Sequence, residues 1–411
     1  MFLLKLAFKN LTRHKRRTLI TSSVIAMAIF TYIFIDSLML GMENLSYDNI
    51  INLETAHVQI SNPDYWEKRE ELALENLIKM DDNIINEIKK LDSFSGYAKE
   101  LKFSARLNNG IEEIPVSVLG IEAEEYLKIY KTEDYLIKGD FFKKGENGAV
   151  LGNSLANLME LKAGDYITLL FKTKEGTYNT IDTEIKGIVN TSHPTINDST
   201  VYVPLNRAYQ ALNLDGELSR ISVRLKGSKH TASALATFNE AFSSKSNIKA
   251  FSWRDSAQAV IAMSQAQNLE NLTILGIILI IAVVGIINTI ILSALERMEE
   301  IGMMKALGMK EKEIIFSFMV EATGIGILGG LLGILLSVIG ISIFNIFGLN
   351  LETFAGEEFL QMPMLGRIYC GWNINSFVFV VTFAIVVTFL ASFFPALWAA
   401  RKDPVKSIYH R

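Results

Sequence analysis

Four apolar runs constrain this chain more than any other feature. A helix needs about 20 apolar residues to cross roughly 30 Å of hydrocarbon. Runs of that kind lie at residues 19–40, 269–295, 314–347 and 376–399. The third is long enough to tilt or to extend past the bilayer. Residues 41–268, between the first two runs, are polar enough to fold in water. The pattern predicts a membrane protein with four transmembrane α-helices and a large α+β extracytoplasmic domain between helices 1 and 2. Overall composition is a weak guide: 50% of the 411 residues are hydrophobic, only modestly above a soluble protein. The first run is too long for a signal-peptide core, and no small-residue cleavage site follows it. It is expected to remain as an anchor.

Orientation follows from Lys and Arg in the short flanking segments. Lys5, Lys9, Arg13, Lys15, Arg16 and Arg17 precede the first run. Arg297, Lys305, Lys310 and Lys312 lie between the second and third, in residues 296–313. Arg401, Lys402, Lys406 and Arg411 fill the tail, residues 400–411, whereas the loop at 348–375 has only Arg367. Both termini and the 296–313 segment are therefore expected in the cytoplasm, with the large domain and the 348–375 loop outside. Residues 1–18 are expected to form an interfacial helix, since Leu4, Phe8 and Leu11 share a face opposite Lys5 and Lys9.

In the outer domain, stalk helices are expected to continue the first run to about Leu53 and to lead from Ser256–Leu269 into the second. Ile114–Leu119, Tyr166–Lys172, Thr183–Val189, Thr200–Pro204 and Ser219–Leu225 read as strands, Asn153–Glu160 and Phe238–Phe242 as helical. A polar turn around Glu175 and Gly176 joins two of the strands as a hairpin.

Several chemistries lack their residues. The five histidines (His14, His57, His193, His230 and His410) show no metal-ligand spacing, and no Gly-x-Ser-x-Gly elbow occurs. There is no Gly-Lys dipeptide, hence no Walker A loop, and a net charge of −4 leaves no footprint for nucleic acid. No catalytic, cofactor or metal site is expected, and His57 and His193 read as surface or turn residues. Asp36 and Glu321 lie inside apolar runs but near their ends, where water is expected to reach them. The single cysteine, Cys370, reads as a packing thiol. Gly326/Gly330 and Gly329/Gly333 have the small-xxx-small spacing that lets helices approach in lipid, either within this chain or with a partner subunit.

The segment Glu296-Arg-Met-Glu-Glu-Ile-Gly-Met-Met-Lys-Ala-Leu-Gly308 reads as a short cytoplasmic helix closed by a glycine. It carries more apolar surface than an exposed helix holds without a cover. This segment resembles the coupling element of FtsX/MacB-type ABC transporter permeases. Leu6–Thr18 is similar to that family's basic lead into its first span. Val150–Ala156 with Leu161–Asp165 is similar to its outer domain, and Phe394–Val405 to its closing motif. The resemblance implies a non-catalytic inner-membrane subunit with its outer domain in the periplasm. Its motion would be driven by ATP and Mg on a separate cytoplasmic ABC ATPase, in a complex with a second permease subunit. It also implies ATPase coupling through Glu296, Arg297, Glu299, Glu300, Ile301, Gly302, Met304, Lys305, Ala306 and Gly308. Within the family, His57–Ile60 followed by Asn62–Tyr65 resembles the lipoprotein-releasing Lol permeases. That likeness implies a lipoprotein substrate and contact with a periplasmic carrier at the short hairpin, through Lys172, Lys174, Glu175, Gly176 and Tyr178. MacB-like export of peptides or drugs, and FtsX-like activation of a cell-wall hydrolase, are the alternatives.

Overall fold

The computed structural model describes residues 15–243, 247–350 and 367–401, so the interfacial helix expected at residues 1–18 lies almost wholly outside the described residues. The chain divides into two compact units: residues 44–262 with 350–367, and the remainder.

The second of these units holds the membrane helices. Among the described residues, four helical segments are long and apolar enough to cross a membrane: Thr18–Thr55, Gln258–Glu296, Glu311–Phe347 and Ile374–Ala400. We label the helices α1 (Lys15–Ile50), α10 (Gln258–Glu296), α11 (Met298–Ala306), α12 (Glu311–Phe347), α13 (Ile374–Ala391) and α14 (Phe393–Ala400); α2–α9 belong to the domain. With 36 residues, α1 is about 54 Å long at 1.5 Å per residue, well beyond the hydrocarbon thickness. The bundle core joins Ile25, Ile29 and Ile33 of α1, Ala282, Ile286 and Ile290 of α10, Phe318, Ala322 and Ile325 of α12, and Val380 and Ala384 of α13.

The glycines of α12 explain how these helices close up. A Cβ at Gly329 would sit 2.8 Å from Ile25, and one at Gly333 would sit 2.7 Å from Ile29, so one glycine pair admits α1. Gly326 abuts Thr388 and Gly330 abuts Val381, so the other pair admits α13. At the far end of α12, the Asn345 side chain accepts from the Cys370 amide (2.7 Å) and donates to the Cys370 carbonyl (3.1 Å). Cys370 itself is buried.

The domain is built on ten strands whose pairing closes on itself. We label β1 (Val58–Ser61), β3 (Phe94–Asn108), β4 (Glu113–Ile121), β5 (Leu136–Gly139), β6 (Ala149–Gly152), β7 (Tyr166–Lys172), β8 (Tyr178–Val189), β9 (Thr200–Pro204), β11 (Arg220–Leu225) and β12 (Lys249–Ser252); β2 (Ile78–Lys79) and β10 (Glu217–Leu218) form a separate two-stranded pair. The ring runs β3–β4–β9–β6–β8–β7 and back to β3, with β11, β1 and β12 added on the first half of β3 and β5 on β8. The fifteen residues of β3 serve both parts: Phe94–Glu100 pair with β11 and Arg106–Asn108 with β7. Leu101, Phe103, Ala105 and Leu107 point to the core while Ser104 and Arg106 are exposed, the period-two alternation of a one-sided strand. Two stalk segments pack together: Tyr47, Ile50 and Ile51 meet Trp253, Ala257, Val260 and Ile261, and the Tyr47 and Trp253 rings lie 4.8 Å apart.

Candidate functional site

The expected coupling segment begins where α10 ends. Glu296 closes α10, and Arg297 leaves helical geometry (φ −114°, ψ 20°) before α11 starts. At the other end, the Gly308 amide donates to Lys305 O (2.9 Å) and the Met309 amide to Met304 O (3.0 Å). This is a Schellman closure, with Gly308 in the left-handed region at φ +95°. Lys310 then opens α12, its amide capped by Glu313 Oε2 at 2.9 Å. The helix is therefore short because both ends are fixed by local chemistry.

Its residues divide by face. Arg297, Ile301 and Gly302 are buried, and Met304 packs against the bundle core. Glu296, Glu299, Ala306 and Gly308 are exposed, with Glu300 and Lys305 at the boundary. Met303 and Leu307 are also outward, at 54% and 89% exposure. Both belong to the apolar surface read from the segment, but neither is among the residues the resemblance assigns to coupling.

Beneath the inward face lies an ion cluster. Arg297 donates to Glu300 Oε2 (3.0 Å) and to Glu321 Oε2 (3.2 Å), and Ser293 Oγ lies 3.4 Å from the other Glu321 oxygen. Arg297 and Glu321 side chains are both 8% exposed. Water was expected at Glu321 because it lies near a run's end; α11 and its flanks instead cover it, and Arg297 supplies the counter-charge. Asp36 accepts from Asn373 Nδ2 at 3.1 Å.

In the domain, the first stalk ends in a joint. After α1, residues Ile51–Thr55 make a π-helical turn, and Ala56 takes φ 52°, ψ −151°, a region costly for any residue but glycine. Such turns and outliers concentrate at functional hinges. Carbonyls freed by this helix end find partners elsewhere in the domain. Arg224 donates to Ile51 O (3.1 Å), Arg220 donates to Glu54 O (3.0 Å), and Tyr130 Oη lies 3.0 Å from the same Glu54 oxygen. Two cations at a helix C-terminus also complement its dipole. Arg220 is held in turn by Glu100 Oε2 at 2.7 Å, a carboxylate with no exposed surface, and Tyr130 Oη lies 2.9 Å from Glu100 Oε1. Burial opposes the Arg220 charge, but Glu100, Tyr130 and Glu54 together outweigh it and push the guanidinium pKa up. Burial and then the Arg220 charge lower that of Lys102 nearby. His193 Nε2 contacts Glu54 Oε2 at 3.0 Å, and the Leu225 amide donates to His57 Nδ1 at 3.2 Å. Neither histidine is a surface residue: His57 is 4% and His193 9% exposed. The joint folds over both, a long-range packing effect that local sequence does not carry. Among the described residues no group of three His, Cys, Asp or Glu side chains is placed to hold a metal ion.

The hairpin expected to meet a carrier is the β7–β8 connection. Lys172 pairs with Tyr178, the Thr173 amide donates to Thr177 O (2.7 Å), and Gly176 takes φ +85°. Lys174 is anchored to Glu217 at 2.6 Å, and Asn213 donates to Glu175 at 3.3 Å. Tyr178 is 74% exposed. Lys172, Lys174, Gly176 and Tyr178 line a groove of about 410 Å³ together with Phe103 and Leu74. Glu175 stands outside that lining.

A stalked domain inserted in the chain between the first and second of the long apolar helices, with a glycine-closed helix between the second and third, is the chain order of an ABC transporter permease. The profile of the MacB-like periplasmic core domain matches residues 18–241. That of the FtsX-like permease C-terminal matches residues 272–404. The chain belongs to the FtsX/MacB-type permease family. It is similar to a macrolide export ATP-binding/permease protein MacB of Pasteurella multocida, 23% identical over 98% of this chain and 59% of that protein. It is also similar to an uncharacterized ABC transporter permease of Methanocaldococcus jannaschii, 20% identical over 98% of this chain and 96% of that one. The chain thus spans about 60% of the length of the MacB relatives it matches. The solved periplasmic region of MacB from Actinobacillus actinomycetemcomitans aligns with 52% of this chain and 96% of its own, at TM-score 0.37 and 15% identity.

Proposed function

We propose that this chain is the permease subunit of a mechanotransmission-type ABC transporter, with export of a peptide or drug in the MacB manner as its task. The observation that carries the reading is the divided face of α11. One side is locked into the bundle, while Met303 and Leu307 stand exposed on the other, where a cover is needed. An ABC ATPase holding ATP and Mg fits that cover. No Walker A loop occurs in these 411 residues, and in this reading hydrolysis belongs to the ABC ATPase. The Lys/Arg asymmetry supports an orientation with both termini and α11 in the cytoplasm and the ten-stranded domain outside, in the periplasm of a multi-pass inner-membrane protein. A second permease subunit, the same chain or a relative, completes the complex. ATP-driven movement of α11 would then reach the domain along α1 and α10, through the joint at Ile51–Ala56.

Substrate class divides two readings. Export is supported by the MacB relatives, whose names specify macrolide export. Lipoprotein release to a carrier is supported by the Lol-like segment His57–Tyr65 and by the exposed Tyr178. Against it, the hairpin has no long arm and two of its turn residues are tied down by Glu217 and Asn213. The test is reconstitution of the complex purified from native membranes into vesicles, with ATP hydrolysis followed as substrates are added. Stimulation by a macrolide or peptide is expected. Stimulation by a lipoprotein, with its appearance in the soluble fraction, would replace export by release. Hydrolysis blind to all three classes would remove the transport reading.

A further inference from the structure

We infer that Arg297 is a positioning residue: its pairing with Glu321 fixes the coupling helix to the third membrane helix, so that displacing α11 carries α12 with it. Arg297 stands at the break between α10 and α11, where the backbone turns out of helical geometry and ceases to hold the two segments rigidly. Its guanidinium supplies the connection the backbone drops. It reaches Glu300 one turn ahead in α11 and Glu321 in α12, and Ser293 of α10 closes on the second Glu321 oxygen. One arginine thereby ties together the end of α10, the coupling helix and the third span.

The surroundings make this tie stiff. Met304, Met309, Ile314 and Phe318 line the small cavity around the pair together with Ser317, so a separated charge would face mostly apolar side chains. Breaking a buried pair leaves an uncompensated charge, which is far costlier than losing a surface contact. The nearby Lys305–Glu311 contact, at 3.7 Å with Glu311 half in solvent, is the weak kind by comparison. Movement of α11 alone would have to open the Arg297–Glu321 pair; movement of α11 with α12 would not. The importance of the link for transport rests on the docking reading above, but the link itself is a property of this chain.

The test uses the full chain, with Cys370→Ala as background, reconstituted in bilayer discs without any ATPase. Spin labels replace Leu307 and Leu335, both exposed, and pulsed electron resonance reads the distance between them. The parent is expected to give one narrow distance. Arg297→Gln and Glu321→Gln are each expected to broaden it or add a second population. The Arg297→Gln/Glu321→Gln double variant buries no unpaired charge, so its folded yield should return to within about twofold of the parent. Its distance should nevertheless stay broad, because the shorter glutamine does not bridge from the break to α12. A double variant that recovers both yield and the narrow distance makes the pair structural filling and overturns the proposal. Single variants with the parent's narrow distance overturn it as well. Because no ATPase is present, the outcome decides the link separately from the docking reading.

Discussion

At the scale of single residues, the joint of the outer domain depends on a neutral imidazole. His57 Nδ1 accepts the Leu225 amide, so protonation there destroys the hydrogen bond. Burial, and then the Arg224 charge, lower the His57 pKa from 6.5 to about 4. Unfolded chains take up this proton near pH 6.5 and the folded domain does not until about 4. The stabilisation is therefore complete above pH 6.5 and is lost as pH falls toward 4, by up to about 3 kcal/mol. Hydrogen exchange on the full chain, corrected for intrinsic rates, should show Leu225 less protected at pH 5 than at pH 7.5. His57→Gln should flatten that difference. Equal protection at both pH values in the parent would contradict the assignment. The neighbouring Glu100–Arg220 pair acts differently: Glu100 holds Arg220 against the carbonyl of Glu54.

At the scale of elements, glycine spacing decides which helices meet. Gly333→Leu would drive a side chain into Ile29 and the Ala26 carbonyl, atoms 2.7 to 3.1 Å from an added Cβ. Overpacking of this kind costs about 1–3 kcal/mol or more, and here a backbone must yield. Gly285 in α10 has nothing within 4 Å of an added Cβ and serves as control. Thermal unfolding of the full chain in detergent should fall for Gly333→Leu and hold for Gly285→Leu. A Gly333→Leu protein as stable as its parent would refute the packing. The spacing itself was legible from sequence; which helix each pair admits was not, because either a span of this chain or another subunit satisfies the same rule. Strands such as β7, whose buried residues alternate, and β9, a short apolar run buried throughout, were equally legible. The longest strand, β3, was not: Lys102, Ser104 and Arg106 alternate with core residues, but Gly96 and Glu100 interrupt the pattern. Glu100 is a buried carboxylate that only its distant partner Arg220 explains. The joint escaped detection for the same reason, since Glu54, Glu100, Tyr130, His193 and Arg220 converge from segments far apart in the chain. The coupling helix was visible as a segment, but its faces were not, because Arg297 and Gly302 look like docking residues until Glu321 and the bundle are seen to claim them.

At the scale of the whole molecule, membership of the FtsX/MacB-type family is established by two domain matches that together cover most of the chain. The proposed mechanism adds direction: an ATPase pushes on the exposed face of α11, the buried face passes the push to the membrane helices, and long helices carry it to the domain. The exposed face is the point at which this account is most exposed to test. A photo-crosslinking residue at Leu307, in the full chain in native membranes, is expected to capture an ABC ATPase. The same residue at Ile301, which is 2% exposed, is expected to capture none. No ATPase captured from Leu307, labelling of a cysteine at Leu307 by a membrane-impermeant reagent from outside, or capture equal at both positions, would contradict the account at its centre.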